Sequence, residues 1–265
     1  MSIRLRQVLA LGLLICIATV SRAKDVQLEI ERLWAVTEVQ NLLGTYSLWH
    51  TSGFNHRVPE LFTHTDDTVI EMMWGRYTGK DAAYRCYFVD HRRDDQNTID
   101  ALHLKVPDVS DKVKTNSSSG TPGGASTGSD VAASAPFHLH SLTTPVVVVA
   151  GDGQTARAVW ISPGIEGSGW GYMKYGADFK RVSGSWKIWH LHVYGLFIAP
   201  YDRSWAQNAP EAPMGTPAQN ADKPATTYFF FTKDTKYIPL QPEPPRPYQT
   251  FGERGMSPAT YGKLD

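Results

Sequence analysis

The second half of the chain limits the folds open to it. Four stretches, 138–150, 155–162, 169–181 and 185–197, are rich in Val, Ile, Trp and Tyr, with turn residues Gly151-Asp152-Gly153 and Ser183-Gly184 between some of them. Runs of this length, bounded by Gly, Asp and Ser, read as the strands of a meander. Val146 to Val149 is apolar without a break, which predicts a strand covered on both faces. The first half has a different period. From Asp25 to Ser47, Leu28, Ile30, Leu33, Trp34, Val36, Val39, Leu42, Leu43 and Tyr46 recur at three- and four-residue spacing, the mark of an amphipathic helix. A short helix over 57–62, a hairpin over 68–79 and a third helix over 80–91 follow. Helices, a hairpin, a helix and then a meander predict an α+β fold in one domain, 24–199.

Two segments stand outside that domain. Residues 114–135 are Ser-, Gly-, Thr- and Ala-rich and predict a flexible insertion; it holds Asn116-Ser117-Ser118, a glycosylation acceptor in a eukaryotic host. Residues 200–265 are proline-rich but carry Tyr228-Phe229-Phe230-Phe231, Tyr237 and Tyr248, and predict an extended arm that packs on the domain or on a neighbouring subunit.

At the amino end, Arg4 and Arg6 precede an apolar stretch from Val8 to Val20, and Ser21-Arg22-Ala23 offers small residues at −3 and −1. This predicts a signal peptide, 1–23, cut after Ala23, and a secreted or periplasmic protein. Cleavage takes 26 basic residues to 23 against 26 acidic ones, a net charge of −3. No basic footprint for nucleic acid is present, and no second run of membrane-spanning length, so no membrane partner is expected once the signal is removed. Of two cysteines, Cys16 lies in the signal, leaving Cys86 with no intrachain partner.

The chemistry-bearing residues are two H-L-H sequences, His138-Leu139-His140 and His190-Leu191-His192, both on strand-like segments. Alternation along a strand points the two histidines of each pair to one face. If both strands line one cavity, four imidazoles meet there, a group suited to proton transfer near neutral pH. Such a cluster can also hold zinc.

The stretch Glu38-Val39-Gln40-Asn41-Leu42-Leu43 with Tyr46 resembles the first helix of the SnoaL-like branch of the nuclear transport factor two-like superfamily. Glu60-Leu61-Phe62 with Asp66-Asp67-Thr68-Val69 resembles its second helix and first strand, Gly75 to Ala82 its hairpin and third helix, and Trp186-Lys187-Ile188 its final strand. The resemblance covers about residues 30–193. It implies a cone-shaped barrel, in which a strongly curved mixed or antiparallel sheet wraps around N-terminal helices. It also implies a small-molecule substrate, no cofactor or metal, and a homo-oligomer, dimer or trimer. By position, His140 matches the family's catalytic base. The aspartate that orients that base has no counterpart, since Tyr46 to Gly53 contains no acid. The expected catalytic residues are His140, Tyr46 and His190. The expected substrate-binding residues are His50, Trp49, Trp74, His138, Tyr172 and His192. The activity implied is a lyase or isomerase acting on a hydroxylated aromatic or polycyclic molecule by dehydration or a related elimination, with lignin-derived aromatics among the substrates that relatives suggest. The alternative is a non-catalytic binding or assembly module.

Overall fold

The computed structural model describes residues 3–90, 138–166, 169–202, 204–205, 218–226, 234–237, 240–252 and 257–259, with the side chains of the first helix from Arg22 on. The expected insertion at 114–135, the Tyr228–Phe231 cluster and the side chain of His138 lie outside the described residues. The chain is α+β, with a mixed sheet of seven strands. Helix α1 runs Ile3–Thr51. A 3-10 turn, Val58–Leu61, stands where a short helix was expected. The hairpin is β1 (Val69–Met72) and β2 (Gly75–Thr78), and a π-helical turn, Tyr84–Asp90, follows. The meander is β3 (His138–His140), β4 (Thr143–Val149), β5 (Thr155–Glu166), β6 (Gly169–Val182) and β7 (Ser185–Pro200). Among the described residues, no helix is long and apolar enough to cross a membrane.

The strand order is β2-β1-β7-β6-β5-β3, with β4 also on β5, and this path is open rather than closed. β1 joins β7 in parallel; the other pairings are antiparallel. Among the described residues β4 pairs with β5 alone, and Val146, Val147 and Val148 are only half-buried, where cover on both faces was expected.

One face of the sheet receives α1. The helix buries Ala35, Val39, Leu43, Tyr46 and His50, a stripe at spacings of four, four, three and four. Each large apolar side chain sealed this way contributes roughly 1.5–3 kcal/mol. The buried face is narrower than the apolar pattern of the sequence. Ile30, Leu33 and Trp34 point away from the sheet, with Leu33 71% and Trp34 67% exposed. An arc that includes them covers more of the helix than one flat sheet can meet.

Two irregularities in the β6–β7 ladder decide which side chains face α1. The hairpin turns on Ser183 and Gly184, both at positive φ, and pairs Val182 with Ser185. Pairing proceeds evenly to Phe179 with Ile188, but Asp178 then faces His190, so Trp189 is an extra residue. Before this bulge Trp186 and Ile188 face the core; after it Leu191 and Val193 do. A second shift at Tyr172/Met173 skips Leu196.

The opposite face is covered by segments after Pro200. Asp222 accepts from the Thr78 backbone N–H and from Arg85, tying residues 218–226 to the hairpin. Lys174 Nζ donates to the carbonyls of Leu240 and Gln241, Arg157 lies over the Tyr248 ring at 4.2 Å, and Pro258 crosses Gly176, where a β-carbon would collide with the Pro258 carbonyl.

Candidate functional site

The C-terminal end of α1 builds the side chains nearest to chemistry. Tyr46 and His50 lie one turn apart on its buried stripe. Ser47 and Thr51, also one turn apart, hold strand β3: the Ser47 hydroxyl donates to the His140 carbonyl, and the Thr51 hydroxyl accepts from the His140 N–H at 3.3 Å. This clamp sets the His140 ring against His50, stacked at 4.9 Å between centroids and 17° between planes. Tyr46 stacks on the other side of His50 at 5.7 Å. Tyr175 from β6 meets Tyr46 edge-on, and Tyr87 does the same to both Tyr46 and His50. Tyr87 donates its hydroxyl proton to the Tyr46 oxygen at 2.9 Å. Burial, with the Tyr46 hydroxyl beside it, pushes the Tyr87 hydroxyl well above its ordinary range, so it stays a neutral donor.

His50 has a further partner. Its Nδ1 lies 2.6 Å from Asn55 Oδ1, and Asn55 is 2% exposed. The amide oxygen is an acceptor, so Nδ1 carries the proton and the basic lone pair sits on Nε2.

The second pair of histidines is elsewhere. His190 and His192 follow the Trp189 bulge and face away from α1, so they do not share a cavity with His140. His190 Nδ1 donates to Asp178 Oδ2 at 2.8 Å and Nε2 to the Asp67 carbonyl at 3.1 Å. The Ser257 hydroxyl donates to the same Asp178 oxygen. Both ring nitrogens thus face oxygen partners, one from the sheet and one from the turn before β1. His192 Nδ1 donates to the Ala259 carbonyl at 3.2 Å, and Nε2 lies 3.4 Å from Glu71 Oε1. Burial lowers its pKa to about 4, outweighing the upward pull of Glu71. Glu71 in turn accepts from the Thr226 N–H and hydroxyl. These groups stitch the chain after Pro200 to the sheet.

The other expected residues are scattered. Trp49 packs at the edge of the core under the Arg57 guanidinium, 4.1 Å from its ring centroid. Trp74 sits in the turn between β1 and β2, its carbonyl accepting from the Ala218 N–H at 2.9 Å. Tyr172 stacks on Phe197 in a cavity of about 480 Å³ that also meets Trp170 and Trp205. By register this cavity lies on the sheet face opposite His140, since Leu139 rather than His140 lines it. Cys86 is fully buried and its thiol is pushed up by that burial, which leaves it unreactive. Among the described residues, no three His, Cys, Asp or Glu side chains are grouped to hold a metal ion.

Sequence reasoning missed Asn55 and Tyr87 at the inner cluster, and Asp178, Glu71 and Ser257 at the outer one. Asn55 left one signal, its place just beyond Gly53, which ends α1.

No family model matches the chain, and no curated protein matches it. Among solved structures it is similar to hexachlorocyclohexane dehydrochlorinase LinA-type3 from Novosphingobium barchaimii, at 12% identity over 66% of this chain and 96% of that one, TM-score 0.41. It is also similar to LinA, at 12% identity over 69% and 99%, TM-score 0.43. An NTF2-like protein with a cystatin-like fold from Novosphingobium aromaticivorans aligns at 18% identity over 66% and 88%, TM-score 0.38.

Proposed function

We propose that this chain is an exported, cofactor-independent lyase or isomerase. It moves a proton to or from carbon in a hydroxylated aromatic or polycyclic small molecule. The observation that carries this reading is the stack of Tyr46, His50 and His140 inside an otherwise apolar core. An imidazole in such a place can serve as a general base. In an elimination, the His140 imidazole takes the carbon-bound proton, the C–H electrons form the double bond as the C–O bond breaks, and the imidazolium hands that proton to the departing hydroxyl, which leaves as water. Tyr46 polarises the departing oxygen, its own hydroxyl strengthened as a donor by the bond it accepts from Tyr87. His190 and His192 take no part, because they serve the opposite face. Export rests on Arg4, Arg6 and the apolar run that follows them.

A second reading, a non-catalytic binding module, is favoured by the close packing of the same rings. Tyr46 is 1%, His50 8% and His140 5% exposed. Turnover decides between them. Wild type and His140→Ala are assayed on a panel of hydroxylated aromatic compounds, with products read by mass spectrometry. A loss of about 10²–10⁴-fold in the variant is expected; equal turnover overturns the role of His140.

A further inference from the structure

The sheet face opposite α1 changes character along β6. Near the middle of the strand it is closed by polar contacts with the chain beyond Pro200. Lys174 Nζ donates to the Leu240 and Gln241 carbonyls, and the Tyr194 hydroxyl on the neighbouring strand donates to the Pro258 carbonyl. Towards the start of β6 and the end of β7 the same face carries aromatic rings instead. Tyr172 pairs with Phe197 across the two strands, and Trp170 pairs with Ala199. The Tyr172 and Phe197 rings lie 16° apart, and Trp205 continues from Phe197 at 6.3 Å between centroids and 34° between planes. Trp170 is steadied edge-on by Tyr201 at 5.3 Å. These rings form one wall of the cavity of about 480 Å³, and Leu139, Ser141 and Ile165 from β3 and β5 help to form the other.

The chemistry of this lining is uniform. None of the described residues that line it is charged, and its polar side chains are the hydroxyls of Ser141, Tyr172 and Ser204. A charged ligand would surrender its hydration there without meeting a counter-charge. A flat ring would lose little by leaving water and would stack on, or meet edge-on, the rings already present. The volume falls within the range of small-molecule sites. We propose that this cavity is a binding site for a neutral, planar aromatic molecule of about two to three rings. It is a second site, on the opposite side of the sheet from the stack of Tyr46, His50 and His140. Among the described residues no imidazole or carboxylate lines it, so its work is to hold a ligand rather than to move a proton. The proposal does not depend on the proton-transfer reading.

Equilibrium titration of the full chain with N-phenyl-1-naphthylamine, a neutral aromatic dye that brightens on leaving water, tests this. The expected result is saturable binding at one site per chain; fluorescence that rises without saturating overturns the proposal. 1-Anilinonaphthalene-8-sulfonate carries similar rings and a negative charge, and is expected to bind at least about tenfold more weakly. Equal affinity for the two dyes overturns the neutral ligand class. Trp170→Ala removes a ring that is 52% exposed, so the fold is retained, and should weaken the neutral dye by about tenfold. Ser141→Phe fills the cavity from the facing wall and should abolish the signal. Unchanged affinity in either variant overturns the site. The turnover assay on hydroxylated aromatic compounds keeps this result apart from the enzyme reading. Trp170→Ala is expected to match wild type in that assay, whether or not wild type turns the panel over. Turnover lost together with dye binding overturns the separation of the two sites.

Discussion

His140 and His190 open to view the same short sequence with opposite outcomes. Each belongs to an H-L-H on a strand of one sheet, and each is nearly buried. His140 faces α1 and stacks on His50, next to Tyr46. His190 faces the other way and lies between a carboxylate and a carbonyl, beneath the chain's own later residues. What separates them is one extra residue, Trp189. A strand assigns its side chains to faces by counting, and a single bulge changes the count for everything beyond it. The lesson is that a histidine motif on a strand specifies which residues act together, while the ladder specifies on which side they act.

The comparison breaks most sharply at Asp178. Asp178→Ala removes the buried acceptor shared by His190 Nδ1 and the Ser257 hydroxyl. Unfolding by denaturant is expected to show a loss of about 3–5 kcal/mol, whereas His140→Gln changes stability far less. Equal losses in the two variants would mean that the outer network has no special structural weight. Next in size is the pH response of His192. Its pKa falls from 6.5 unfolded to about 4 folded, so the folded state favours the neutral ring. The associated stability is complete above pH 6.5 and drains away as the pH falls towards 4, by up to about 3 kcal/mol. His192→Gln should flatten this part of the stability profile; a variant that keeps the wild-type slope excludes His192 as its source. Smallest is Tyr87→Phe. It removes the hydrogen bond to Tyr46 while preserving ring packing, and thermal unfolding should register about 1 kcal/mol. A change beyond about 3 kcal/mol would show that the inner cluster is held by its polar contacts rather than by its rings.

The order of elements was legible in the sequence because periodicity is a local property. The helix period up to Tyr46, the Ser183-Gly184 turn and the meander each show over a short window, although the stretch 138–150, expected as one strand, is divided into β3 and β4. The inner site was half legible. His140, Tyr46 and His50 were all named, and α1 and β3 do bring them together. The outer network was not legible, for a definite reason. Counting back from the Ser183-Gly184 turn pairs Asp178 with Trp189 and sends His190 to the core side with Ile188. Trp189 bulges because its indole packs on His190 and Phe251, a residue more than 60 positions later. No local pattern carries that contact. The same holds for Glu71, whose partner Thr226 is 155 residues away.

That separation has a bearing on how the molecule is made. A ribosome delivers the β1–β2 hairpin long before the residues that cover it, and Glu71, His190 and Asp178 must wait in water for Thr226 and Ser257 to emerge. Contacts between such distant positions close slowly, since a long loop must be brought together before they form. The outer face is thus completed only once Thr226 and Ser257 have reached the sheet.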